Sequence, residues 1–235
     1  MHLTNKVALV TSSQRPRCAQ IARQLASAGA SVVICGRNTT KGRATVAEIQ
    51  RSGGKARFIL ADISAPADIR AAINETIATY GRLDVLFNYV SSFYDCDQAL
   101  GKVTENTWDR MLEVALKGIF FCCQYALPFL EKPGCGRIIT LIRYEAPIEN
   151  HALSRICQGG LVELTQAIAQ QFPNRHVIAN LIIHQPETAT VPPLFTEHIL
   201  YADTEFRSVD DAIDCLIHRE NQLQGHTLVG HLLCR

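Results

Sequence analysis

The chain has 235 residues, 47% hydrophobic and 19% charged, and its 23 Lys and Arg nearly balance 22 Asp and Glu, for a formal charge of +1. That apolar share is enough for a packed core and excludes a disordered chain. Near-neutrality removes the clustered basic footprint that nucleic acid or an anionic membrane would require. The length allows one large domain or two small ones, and no stretch reads as linker, repeat or low complexity, so one domain over residues 1–235 is expected.

In chain order, short β-branched runs alternate with longer helical patterns. Lys6–Thr11 (KVALVT) is a continuous apolar run, as a strand buried on both faces requires. Ile21, Ala22, Leu25 and Ala28 share one face of a predicted helix over Ala19–Ala28, which Gly29 ends. Ser31–Cys35 is the second strand, Thr40–Arg51 a helix stopped by Gly53-Gly54, and Ala56–Asp62 the third strand. A helix over Ala65–Tyr80 and a fourth strand, Leu83–Asn88, complete a β-α-β series with short connections. Such a series predicts a doubly wound, mostly parallel α/β sheet of about seven strands.

The second half continues the pattern. Asn106–Leu130 places Trp108, Met111, Leu112, Ala115, Ile119 and Cys122 at helical spacing, and its later part is apolar nearly all round, which a solvent-facing helix does not tolerate. The apolar stretch Gly118–Leu130, broken by Gln124 and Pro128, is read as too short to span a bilayer. Arg137–Ile142 is a strand, Ser154–Phe172 a helix and Val177–Ile183 the sixth strand. His184–Arg207 reads as loop, Asp210–His218 as helix and His226–Gly230 as the last strand. The N-terminal apolar run is too short for a signal-peptide core. The nine cysteines contain no C-x-x-C pair and their number is odd, so neither zinc nor a closed disulfide framework is indicated. Buried thiols in a cytoplasmic protein are the expectation.

In this order and spacing, VALVTSS, ARFILADIS, LDVLFNYV, TWDRMLEVALKGIFFCCQ, GRIITLI, GGLVELTQAIA and QGHTLVG resemble the frame of a short-chain dehydrogenase/reductase over essentially the whole chain. The resemblance implies a Rossmann-type domain, and it makes the departures legible. The three glycines of that family's phosphate loop are needed for a tight turn, backbone approach and close packing. Their positions hold Ser12, Pro16 and Cys18. Pro16 removes an N–H and Cys18 adds bulk where the helix should approach. At the end of the second strand an NAD enzyme presents a carboxylate; Gly36-Arg37 stands there, and Arg37 would suit a 2′-phosphate. Asp62 and Asn88 stand where the family keeps an adenine-contacting aspartate and a strand-four asparagine. Each also has a structural use, Asp62 capping the next turn and Asn88 tying neighbouring strands.

The family's catalytic Asn, Ser, Tyr and Lys correspond to Ala115, to Ile142 or Arg143 with Arg143 favoured, to Ser154 and to Gln158. A serine hydroxyl is too weak an acid to replace a tuned phenol, and Gln158 has no charge with which to tune anything. The Pro-Gly that follows the sixth strand in the family reads His184-Gln185. Together these departures imply a catalytically silent subunit that binds neither NAD nor NADP and has no metal. It would support an active homologue in a cytoplasmic, tetrameric hetero-oligomer. The pattern is similar to two-subunit hydroxyacyl-CoA dehydrogenases of anaerobic aromatic breakdown, such as the benzylsuccinate pathway of toluene degradation. Gly159-Gly160 inside a helix suits close approach by another helix or simple tolerance.

Two other readings stay open. One is a non-redox isomerase, lyase or cyclase using Arg143, Tyr144, Ser154 and Cys157 with His151 or His184 at the rim. The other is a ligand sensor or a residual NAD(P)-dependent oxidoreductase, in which Arg15 and Arg17 beside Pro16 bind an anion through guanidinium groups.

Overall fold

The computed structural model describes residues 3–11, 16–91, 99–143, 152–174, 176–184, 199–201, 213 and 227–230. Strands and helices alternate from the start: β1 (Val7–Val10), α1 (Pro16–Ser27), β2 (Ser31–Gly36), α2 (Thr39–Arg51), β3 (Lys55–Leu60), α3 (Pro66–Tyr80) and β4 (Val85–Ser91). α4 (Glu105–Leu112), α5 (Gly118–Leu130), β5 (Gly136–Arg143), α6 (Ala152–Gln171), β6 (Val177–His184), β7 (Ile199–Tyr201) and β8 (Thr227–Gly230) follow. The strand order is β3-β2-β1-β4-β5-β6-β8-β7. Among β1–β6 the order of addition reverses between β1 and β4, the switch of a doubly wound Rossmann sheet. The expected architecture is observed, with eight strands rather than about seven. The extra one, β7, lies in the stretch read as loop and pairs in parallel with β8, Ile199 opposite Thr227.

Local chemistry explains the helix ends. Asn38 caps α2, its side chain accepting a hydrogen bond from the Lys41 N–H at 2.9 Å, which satisfies an otherwise orphaned donor. Pro66 opens α3 and Gly81 closes it at φ 74°, the left-handed conformation that glycine takes without a Cβ penalty. Pro16 likewise opens α1, three residues before the predicted start. Proline is tolerated in the first turn because its missing N–H has no intrahelical partner to lose.

The single helix predicted over Asn106–Leu130 is interrupted. A π-helical turn, Glu113–Lys117, separates α4 from α5. By length and composition the whole helical run Glu105–Leu130 would be long and apolar enough to cross a membrane, longer than the reading of Gly118–Leu130 allowed. Within the fold, α5 packs on α3 and buries Ile119, Cys122, Cys123, Ala126 and Leu130, while Phe120 stays exposed. The chain divides into two compact units. The first comprises Met1–Tyr89, Gly118–Ile138 and Asn174–Val177, and holds β1–β3, α1–α3 and α5; the second comprises Val90–Lys117, Ile139–Pro173 and Ile178–Arg235, and holds α4, the π turn, α6 and most of β5 and β6. Of the helix expected at Asp210–His218, only Ile213 falls among the described residues.

Candidate functional site

In the first unit, the carboxyl ends of β2 and β3 bring Arg37 and Asp62 together. The strands pair in parallel with Gly36 opposite Leu60, so residues just beyond those positions leave the sheet side by side. The Arg37 guanidinium lies 3.5 Å from an Asp62 carboxylate oxygen, with side chains 59% and 31% exposed. Asp62 also accepts hydrogen bonds from the Ser64 N–H and hydroxyl, at 2.9 and 2.8 Å. It therefore caps the following turn, as expected. Burial alone would raise its carboxyl, but the Ser64 hydrogen bonds and the Arg37 charge outweigh that and hold it below the usual carboxylate range.

The start of α1 lies in the same unit. Ser12 and Arg15 lie outside the described residues, whereas Pro16, Arg17 and Cys18 are in the helix. Cys18 is fully buried with Ile21, Ala22 and Leu25 on the face that meets β1 and β2. Its bulk is taken into the core. Arg17 is buried as well, its Nη1 donating to Gln20 Oε1 at 2.9 Å. Asn88 was expected to tie neighbouring strands; its amide instead donates to Cys123 Sγ on α5 at 3.7 Å. Its Oδ1 is buried without a hydrogen-bond partner among the described residues.

The second unit holds the four positions matched to the family's catalytic residues. Ala115 lies in the π turn, Arg143 ends β5, and Ser154 and Gln158 lie four apart on α6, hence on one face. Ala115, Ser154 and Gln158 are buried, and Arg143 is half-buried with its Nε shielded from solvent. The π turn packs on α6. A Cβ built at Gly160 would come within 2.9 Å of the Leu116 side chain, whereas Gly159 faces open space. One of the two glycines thus serves a close approach, with a helix of this same chain. Cys157 is buried on α6. Tyr144 and His151 lie outside the described residues, as does the side chain of His184. No cluster of three or more metal-ligating side chains occurs among the described residues.

Comparison with known proteins identifies this arrangement. A family model described as Enoyl-(Acyl carrier protein) reductase matches residues 18–191. The 3-oxoacyl-[acyl-carrier-protein] reductase FabG of Staphylococcus aureus (strain Mu50 / ATCC 700699) is 30% identical over 180 residues, 75% of this chain and 72% of that protein. The (2S)-[(R)-hydroxy(phenyl)methyl]succinyl-CoA dehydrogenase subunit BbsD of Thauera aromatica is 30% identical over 197 residues, 82% of this chain and 79% of its own. A crystal structure of a metagenomic short-chain oxidoreductase in complex with NADP superposes with a TM-score of 0.78 at 26% identity, covering 99% of both chains. The chain belongs to the short-chain dehydrogenase/reductase family, a class of NAD(P)-dependent oxidoreductases.

Two expectations are thereby corrected. Relatives sharing this frame are reductases and dehydrogenases, so the reading as a silent subunit supporting an active homologue is overturned. The reading that neither NAD nor NADP binds is overturned by the same family and by the neighbour that holds NADP. The physical reason is visible at α1 and at the strand ends. Cys18 is accommodated in the core, Pro16 opens α1, and Arg37 and Asp62 lie side by side beyond β2 and β3.

Proposed function

We propose that this chain is an NADP(H)-dependent oxidoreductase, and the observation that carries this reading is the Arg37–Asp62 pair at the ends of β2 and β3. A carboxylate at the end of β2 would repel a 2′-phosphate; Arg37 offers instead a guanidinium that is more than half exposed. Its ion pair with Asp62 is solvated and worth little, typically about 0–1 kcal/mol, so the guanidinium is readily redirected to a phosphate, which it binds with charge-assisted hydrogen bonds. Asp62 remains anchored by Ser64 when that happens. Arg17, buried in the first turn of α1, supplies positive charge near the place where the family's glycines supply backbone amides.

The nicotinamide, when bound, supplies a hydride to a carbonyl or accepts one from an alcohol. The residues of this chain then decide how well the accompanying proton is handled. We place Ala115, Arg143, Ser154 and Gln158 at the four family positions, which leaves them without a phenol and without an ammonium group. A carbonyl reduction here takes its proton from solvent, and loss of a positioned acid typically costs about 10²–10⁴ in rate. Slow turnover with intact cofactor binding is the expected signature.

Calorimetric titration of the chain and of Arg37→Ala with NADPH and NADH tests the reading. NADPH should bind more tightly than NADH, and the substitution should weaken NADPH about 10- to 100-fold while leaving NADH nearly unchanged. A chain that binds neither dinucleotide refutes it.

A further inference from the structure

Arg143 is the last residue of β5. Its Nε is buried and has no hydrogen-bond partner among the described residues, and no carboxylate among them pairs with its guanidinium. Four other arginines are ion-paired, Arg23 with Glu48, Arg37 with Asp62, Arg57 with Glu75 and Arg82 with Asp84, whereas Arg17 Nη2 and Arg137 Nε share with Arg143 a buried nitrogen that lacks a hydrogen bond among the described residues. A shielded cation with no counter-charge among the described residues is costly, and the fold retains it half-buried at the carboxyl end of a parallel strand. In doubly wound sheets that end is where ligands bind. In the family a serine hydroxyl stands here to steady a neutral carbonyl oxygen; a guanidinium is matched to something else. It is a planar fork of donors that pairs bidentately with an anion and is no usable acid.

We propose that Arg143 binds the carboxylate of the substrate, and so selects a short oxo acid or hydroxy acid over esters, thioesters and simple ketones. The inference rests on the reading of the chain as an NADP(H)-dependent oxidoreductase and assigns the substrate class that reading leaves open. Arg143 supplies binding and orientation. In the reductive direction the hydride goes to the carbonyl carbon and a solvent proton to its oxygen, while NADPH becomes NADP⁺ and the acid's carboxylate is unchanged.

The test measures binding of acetoacetate, methyl acetoacetate and inorganic phosphate to the full chain, with and without saturating NADPH, by ligand-observed NMR. The chain and the variants Arg143→Ala and Arg143→Lys are compared, with melting temperature and NADPH affinity recorded alongside. Acetoacetate should bind about 10- to 100-fold more tightly than its methyl ester. Arg143→Ala should abolish that preference, Arg143→Lys should restore part of it, and NADPH affinity should not change. Equal binding of acid and ester, or an undiminished preference in Arg143→Ala, overturns the proposal. Phosphate binding as tightly as acetoacetate also overturns it, as a general anion site. If Arg143→Ala does not fold, the acid-to-ester comparison on the unaltered chain decides alone. Arg143-dependent acetoacetate binding in a chain that ignores NADPH would refute the oxidoreductase reading and leave the carboxylate site standing. NADPH binding without acid preference does the reverse.

Discussion

Asp84 shows how a single residue ties the first unit together. Its side chain is 3% exposed and accepts hydrogen bonds from Val7 N–H at 2.9 Å, from Arg82 Nε at 2.8 Å and from Lys6 Nζ at 3.2 Å. Burial by itself would raise the carboxyl, yet these partners together hold it below the usual range. A group depressed in the folded state contributes its full stabilisation above its unfolded value of about 3.9 and loses it as the pH falls through the lower folded value. Asp84→Ala should lower stability by about 3 kcal/mol at neutral pH, since it leaves two cations half-buried without their partner. Denaturant melts should also show the deficit shrinking below pH 4. An equal deficit at pH 3 and pH 7 would separate the loss from the charge.

The thiols make a second case at this scale. Burial pushes Cys35 and Cys123 up to about 12, the latter despite the Asn88 amide, and raises Cys122 further above its ordinary value. A thiolate is the reactive form, so these three should resist a thiol-specific disulfide reagent in the native chain and react once guanidinium chloride unfolds it. Mass spectrometry of the labelled peptides reads the result directly. Rapid native labelling of Cys122 would contradict its place in α5. That cysteines fill the core was legible in the sequence, because a free thiol behaves as a small hydrophobe. That Cys123 receives the Asn88 amide was not, because the two are 35 residues apart.

Elements carry their own tests, and glycine positions separate local from tertiary control. Gly42 in α2 sits against the Phe58 ring of β3, where a Cβ would come within 2.2 Å of the aromatic carbons. A rigid ring cannot yield, so Gly42→Ala should destabilise by about 1–3 kcal/mol. Gly159 in α6 has nothing within 4 Å of its Cβ direction, so Gly159→Ala should stabilise by about 0.5–1 kcal/mol through helix propensity. Opposite signs for two helical glycines, read from chemical denaturation, are the expected outcome. Composition does not distinguish these residues. Only the neighbour across the α2–β3 contact does.

The helix ends were partly readable, because stops act within a few residues: the helix read as Ala65–Tyr80 does end at Gly81, whereas the Asn38 cap that opens α2 was not singled out. The start of α1 was read three residues late, at Ala19, because Pro16 stood before it. As an interior residue it would break the helix, whereas as an opening residue it costs nothing, and sequence pattern does not say which turn is first. The π turn at Glu113–Lys117 lies where the amphipathic α4, with Met111 buried, gives way to the almost wholly apolar α5, a change that helical spacing alone does not mark as an interruption. Its signal is the register change where Leu116 meets Gly160, a contact made across 44 positions of chain.

At the scale of the molecule, each compact unit is assembled from three separated stretches of chain, so neither can be cut out as a continuous piece. We expect the protein to unfold as one domain, with the calorimetric enthalpy equal to the van't Hoff enthalpy. Two resolved transitions in differential scanning calorimetry would show that the units unfold separately. A saturating dinucleotide that binds only the folded state should raise the midpoint, by an amount set by its affinity and concentration.

Alternation of buried strands and amphipathic helices was decided within the sequence, because hydrophobic period and turn chemistry are local properties. The Rossmann order could be read along the chain for that reason. What surrounds the candidate site residues could not. That depended on Cys18 being buried on the face of α1 that meets β1 and β2, and on Arg37 meeting Asp62 across two strand ends. Each is a matter of what faces a residue from a distant part of the chain, and only the assembled tertiary structure supplies that neighbour.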